Sequence, residues 1–148
     1  MSPIWHRNDG VLGEQLVQQL SRELGLDVKV LQNNSKHGVD LYHYDPVKNE
    51  YMVIEVKSSW AGNYRLSKDQ QKGPKAYLSA QADKAAGGQG FWDPKNTPPG
   101  IKADGEEVVD RIRGIYGAPA TVRGIKMEVA IPKTSESGIP SLTLKEWR

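Results

Sequence analysis

Two β-rich runs on either side of a turn occupy residues 39–57, VDLYHYDPVKNEYMVIEVK. The runs cover 39–44 and 51–57, and the residues between them, DPVKNE, are rich in turn formers. A four-residue loop between Asp45 and Glu50 is a common hairpin length and would pair these two residues directly. The pattern therefore predicts a β-hairpin with a defined register.

This register places two carboxyl groups opposite each other. Along the ladder from the turn, Asp40 falls opposite Glu55, and directly opposed residues hold their Cβ atoms about 4.5–5.5 Å apart. Alternation along the strands puts Tyr42, Val53 and Lys57 on the same face as the two acids. The other face is predicted to carry Val39, Leu41, Met52, Ile54 and Val56. Because both faces are largely apolar, we expect helices over both and an acid pair that is at least partly buried.

Two opposed acids in such a setting require a compensating cation or a raised pKa. Lys57, one strand step beyond Glu55, supplies one positive charge, and a divalent metal would supply the rest. Oxygen ligands without His or Cys favour Mg²⁺ or Mn²⁺. Such an ion is a Lewis acid for a phosphodiester and lowers the pKa of a bound water. The alternative is a solvated ion-pair network at a sheet edge, which the apolar neighbours of the acids fit poorly.

Helices and strands are predicted on both sides of the hairpin. Residues 10–24 carry apolar residues at helical spacing between a capping Asp9 and a terminating Gly25. Further predicted elements are a strand over 28–31, a helix from about Ser67 to Ala86 that breaks at Gly73-Pro74, an irregular flap over 87–100, a helix over 104–115, and strands over 122–131 and 142–147. This order predicts an α/β or α+β sandwich with a central mixed sheet flanked by helices.

Composition excludes several classes of protein. The chain has 148 residues, which predicts a single domain over 1–148, and no cysteine, which excludes disulfides and thiolate metal sites. No apolar run approaches the roughly 18 residues of a membrane span, so no membrane partner is expected. The first residues, MSPIWHRNDG, lack the order of a secretory signal. This fits a cytoplasmic enzyme and equally a domain cut from a larger secreted chain.

The residues Gly38-Val39-Asp40 and Ile54-Glu55-Val56-Lys57 resemble the signature of the PD-(D/E)xK nuclease superfamily, which has the restriction-endonuclease-like fold. That signature is an acid on one strand and acid-x-lysine on the next, here Asp40, Glu55 and Lys57; Val39 replaces the family's proline. The resemblance implies an endonuclease that uses Mg²⁺ or Mn²⁺, with Asp40 and Glu55 as metal ligands and Lys57 as a catalytic residue. In many relatives a glutamate on the preceding helix completes the metal site, and Glu14 stands at that place.

Residues 66–74, LSKDQQKGP, look like the LS-x-x-Q-x-x-GP element of nuclease toxin domains in bacterial polymorphic toxin and contact-dependent inhibition systems. In that comparison Gln70 is a catalytic amide that orients a water or a phosphate oxygen. The resemblance extends over about residues 10–86. It also implies a cognate immunity protein and delivery of the domain into the cytoplasm of a target cell.

The segment 57–84 carries six basic side chains against two acidic ones. A basic stretch directly after the proposed site suits a phosphate backbone, although a solvated helix face is the alternative. The predicted nucleic-acid contacts are Arg65, Lys68, Lys72 and Lys75.

Four functions stay open on the sequence alone. The leading hypothesis is a metal-dependent DNase toxin domain of an interbacterial competition system. The second is an RNase of the same fold that cleaves tRNA, and the third is a restriction, repair or junction-resolving endonuclease. The fourth is a nucleic-acid-binding module in which the acids form structural ion pairs.

Overall fold

The computed structural model describes residues 15, 18–19, 21–23, 25–59, 61–130 and 141–148. Within these residues, five strands form one mixed sheet. They are β1 (Lys29–Gln32), β2 (Gly38–Asp45), β3 (Glu50–Ser59), β4 (Thr121–Ala130) and β5 (Ser141–Trp147). The strands lie in chain order across the sheet. Only β3 and β4 are parallel among these neighbours.

The connection between β3 and β4 is helical, as a parallel pair requires a long crossover. It contains helices α1 (Pro74–Gly87) and α2 (Ile101–Arg113), and single 3₁₀ turns at Gln70–Lys72 and Gly90–Trp92. The predicted α/β architecture, with a mixed sheet and helices, is therefore confirmed. No helix in the described ranges is long and apolar enough to cross a membrane.

The helix predicted over 10–24 falls mostly outside the described residues. Positions 15, 18–19 and 21–23 are helical. Glu14, the metal ligand expected by resemblance, also lies outside the described residues, so its role stays a prediction.

The hairpin has the predicted register. Its pairs run from Asp45 opposite Glu50 to Leu41 opposite Ile54. Asp45 holds the turn, because its Oδ1 accepts a hydrogen bond of 2.9 Å from the backbone N–H of Val47. This local bond is the physical reason why an Asp-Pro pair starts a turn.

A β-bulge changes the face on which Val39 lies. Between two paired positions β1 advances by two residues, while β2 advances by three, from Val39 to Tyr42. One extra residue reverses the alternation of side chains beyond the bulge. Val39 is therefore buried with Tyr42 and not with Leu41, so the predicted face of Val39 is wrong. Asp40 lies within this irregular stretch.

The two faces of the sheet carry separate apolar clusters. The first contains Tyr42, Tyr51 and Val53, and α1 and α2 both pack on it. The buried helix residues of this cluster are Tyr77, Leu78, Ala82, Ala85 and Val108. The second cluster contains Leu41, Ile54, Val56 and Val129, and none of its residues comes from α1 or α2. Helices α1 and α2 thus cover one face of the sheet, and the expectation of a helix over the other face stays a prediction.

Candidate active site

Asp40 lies where β2 and β3 cease to pair through their backbones. The paired register ends at Leu41 and Ile54. Beyond it, Asp40 Oδ2 accepts a hydrogen bond of 3.1 Å from the backbone N–H of Val56. Its Oδ1 accepts one of 3.0 Å from Nε2 of Gln32 on β1. The carboxylate takes the place of a backbone acceptor, and these two bonds fix its orientation.

Glu55 is a buried carboxyl group whose charge is incompletely compensated. The residue is 4% exposed, and its Oε1 lies 3.5 Å from Nζ of Lys57. Its Oε2 is buried with no hydrogen-bond partner among the described residues. Burial first, and then the neighbouring Asp40, raise the pKa of Glu55 to about 9. The nearby Lys57 and Gln70 act in the opposite direction but do not cancel it.

The structure thus brings together three of the residues predicted for the site, Asp40, Glu55 and Lys57. The two acids are close enough for the charge of one to shift the pKa of the other. The backbone pairing that was predicted to place them directly opposite each other ends one step earlier, at Leu41 and Ile54. An isolated ionised carboxylate in a buried setting is costly. The site therefore favours either a proton on Glu55 or a bound cation.

Gln70 is held against this pair by a reciprocal hydrogen-bonded turn. Its Oε1 accepts from the backbone N–H of Ser67 (2.9 Å), and Ser67 Oγ accepts from the backbone N–H of Gln70 (3.3 Å). This is the pattern of a capping box. Gln70 is buried, and its side chain lowers the pKa of Glu55. The predicted helix from Ser67 is divided in two, because Gly73 with φ of 103° separates the turn from α1.

Trp147 on β5 anchors the same turn from the far end of the chain. Its indole Nε1 donates a buried hydrogen bond of 2.8 Å to the backbone carbonyl of Gln70. Its ring also lies 5.7 Å from that of Tyr77, whose hydroxyl donates to the carbonyl of Gly38 (2.8 Å). The sequence predicts Trp147 only as the end of a strand. A tryptophan at the end of a strand carries no local sign of a partner 77 residues away.

Replacing Trp147 by Phe is expected to lower the free energy of unfolding by about 0.5–1.5 kcal/mol. The buried carbonyl of Gln70 loses one of its two donors and keeps only the backbone N–H of Gly73. Urea denaturation measures the change. Tyr116→Phe is the matched control, because it removes a hydroxyl that donates to Asp110 on an exposed surface. Equal stability of Trp147→Phe and the wild type would contradict the anchoring role.

The acid pair opens into a cleft of about 790 Å³. Asp40, Glu55 and Gln70 line it, whereas Lys57 is not among its lining residues. Its other polar or aromatic lining residues are Lys36, His37, Ser67, Asp69, Tyr77, Gln81, Asp83, Lys84, Gln89, Phe91 and Trp92. The lining contains more carboxyl groups than lysines, so a phosphate group would be repelled there unless a cation were bound.

The predicted nucleic-acid contacts lie outside this cleft. The side chains of Arg65, Lys68, Lys72 and Lys75 are exposed, but none of them lines the cleft. Lys72 and Lys75 instead border a second hollow beside β4 and the end of β5. The lysines that do line the cleft are Lys36 and Lys84. The only sign of Lys36 in the sequence is its position two residues before the Gly38-Val39-Asp40 segment.

The donors around the acid pair suit a hard divalent cation. Carboxylate and amide oxygens without His or Cys are ligands that Mg²⁺ and Mn²⁺ accept. The Oε2 of Glu55, which has no hydrogen-bond partner within the described ranges, is the atom that a cation would satisfy. Among the described residues no group of three His, Asp or Glu side chains is placed to hold a metal. Two carboxylates are nevertheless compatible with Mg²⁺, which usually retains several waters.

No protein-family model matches this chain, no curated protein is significantly similar to it, and no solved structure matches it significantly.

Proposed function

We propose that this chain is a metal-dependent nuclease that hydrolyses phosphodiester bonds. The observation that supports the proposal most directly is the buried Oε2 of Glu55, which finds no hydrogen-bond partner in the described part of the chain and lies beside Asp40 in a cleft open to solvent. The resemblance of Asp40, Glu55 and Lys57 to the PD-(D/E)xK signature points the same way. The finer architecture that we propose is the restriction-endonuclease-like sandwich.

In the proposed site Asp40 and Glu55 would hold Mg²⁺ or Mn²⁺, with Glu14 as a further ligand. The bound ion would supply Lewis acidity and a water of lowered pKa. Lys57, 24% exposed and next to Glu55, would supply a positive charge beside the metal site, although it does not line the cleft itself. The Gln70 side chain would orient a water or a phosphate oxygen. The hydrogen bonds from Gln32 and Val56 keep Asp40 in place for this role.

The biological setting that we propose is a toxin domain of an interbacterial competition system, delivered into the cytoplasm of a target cell. Its support is the LS-x-x-Q-x-x-GP element over 66–74, together with the burial of Gln70 beside Glu55. A cognate immunity protein belongs to the same proposal. DNA is the substrate we favour, and Arg65, Lys68, Lys72 and Lys75 would contact its backbone outside the cleft.

The proposed activity is tested by incubating the protein with plasmid DNA and with total RNA, in Mg²⁺, Mn²⁺ or EDTA. We expect cleavage in either metal and none in EDTA, because the two carboxyl groups alone supply neither a Lewis acid nor an activated water. Degradation of RNA with intact DNA would assign the enzyme to the RNase class instead. A folded protein that leaves both nucleic acids intact in both metals would contradict the proposal.

A further inference from the structure

The single phenylalanine of the chain is exposed at the rim of the cleft. Phe91 is 71% exposed, although burying a side chain of this size is favourable by about 1.5–3 kcal/mol. It belongs to the residues that line the cleft with Asp40 and Glu55. An exposed aromatic ring at this place is a feature that packing of the core does not explain.

The backbone around Phe91 is fixed by hydrogen bonds. Its carbonyl accepts from Nδ2 of Asn33 (2.9 Å) and from Nδ2 of Asn96 (2.6 Å). The next residue, Trp92, is buried, and its ring lies so close to Gly38 that a Cβ there would approach it to 2.9 Å. The segment predicted as an irregular flap is therefore tied to the β1–β2 loop. The ring of Phe91 projects from an anchored turn.

His37 stands beside this ring in an edge-to-face arrangement. The ring centroids are 5.9 Å apart, with an angle of 78° between the planes. Such a contact covers at most one face of Phe91 and leaves the other for a flat partner. Lys36, which precedes His37, and Lys84 line the same cleft. An aromatic face, two lysines and the acid pair thus border one space.

We propose that Phe91, supported by His37, is a stacking site for an unpaired nucleobase, so that the cleft takes a single-stranded or locally unpaired nucleic acid. The choice of nucleic acid as ligand rests on the proposed function. Every base presents a π-face, and stacking on an aromatic side chain does not depend on sequence. In a duplex the faces of the bases are already stacked on one another, which leaves Phe91 no partner. Lys36 and Lys84 would contact the phosphates of the strand next to the stacked base.

The test measures binding in the Lys57→Ala background with Mg²⁺, where cleavage is expected to be blocked while both proposed metal ligands, Asp40 and Glu55, are kept. Fluorescence anisotropy gives the Kd for labelled single-stranded DNA, single-stranded RNA and duplex DNA of one sequence. We expect tighter binding of single strands than of the duplex. Adding Phe91→Ala should weaken single-strand binding by about 5- to 150-fold, the loss of one stacked base. Phe91→Trp should retain it, since an aromatic face remains.

Val47→Ala is the matched control, because Val47 is 93% exposed at the tip of the hairpin, which does not line the cleft. Unchanged binding in Phe91→Ala, tighter binding of the duplex, or no binding of any nucleic acid would overturn the stacking site. Its failure is distinct from failure of the proposed function. If the wild type cleaves and Phe91→Ala binds normally, only the proposed stacking site is refuted. If binding depends on Phe91 but the wild type cleaves in neither metal, only the proposed nuclease activity is refuted.

Discussion

Replacing Glu55 by Gln is expected to reduce metal-dependent cleavage by about 10²- to 10⁴-fold, which corresponds to the several kcal/mol that a catalytic metal supplies to the transition state. The substituted amide would keep the volume of the glutamate side chain but lose the negative charge that binds a cation. Asp40→Asn should have an effect of similar size. Its amide can accept a hydrogen bond from Val56, yet it weakens the attraction for the metal.

Initial rates of plasmid cleavage in Mg²⁺ measure both variants. Glu106→Gln is the control for the first, since Glu106 is exposed on α2 and outside the cleft. Asp27→Asn is the control for the second, because its side chain is also exposed and outside the cleft. A Glu55→Gln enzyme that cleaves at the wild-type rate would exclude this carboxylate from the metal site. Unfolding curves of all four variants separate lost chemistry from lost structure.

The carboxyl pair was predictable because local patterns determine it. Turn-forming residues between two β-rich runs set the register of the hairpin, and the register of Asp45 with Glu50 extends along the ladder toward Asp40 and Glu55. No knowledge of distant segments was needed. The bulge before Tyr42 was not predictable in this way, because the extra residue of β2 is defined only by its pairing with the separate strand β1.

The surroundings of the pair depend on contacts between distant segments. Phe91 and Trp92 reach the cleft because Asn33 holds the turn over a separation of 58 residues, and Trp147 reaches Gln70 over 77. Neither contact follows from periodicity or composition. The basic segment shows the same limit. The positive charge of this segment is evident in the sequence. The packing of α1 on β4, however, decides that Lys72 and Lys75 lie beside β4 and not in the cleft.

Without metal, the wild-type protein is expected to lose stability relative to Glu55→Gln as the pH rises from about 4.5 to about 9. The folded-state pKa of Glu55 is raised to about 9 by burial and by Asp40, against an ordinary value of 4.5. A raised pKa means that the stabilising contribution is complete below 4.5 and is lost as the pH approaches 9. The difference between the two proteins should grow by at most about 1.4 kcal/mol per pH unit in this window.

Urea denaturation in EDTA at several pH values between 5 and 9 measures this difference, and the comparison with Glu55→Gln cancels groups that titrate equally in both proteins. A glutamine side chain resembles the protonated carboxyl group, so the stability of the Glu55→Gln variant should not show this decrease with rising pH. Mn²⁺ added at high pH should restore stability to the wild type, because a cation favours the ionised pair, and should help Glu55→Gln less. A pH-independent difference would show that Glu55 is ionised throughout. It would then need a compensating charge in the folded protein beyond that of Lys57.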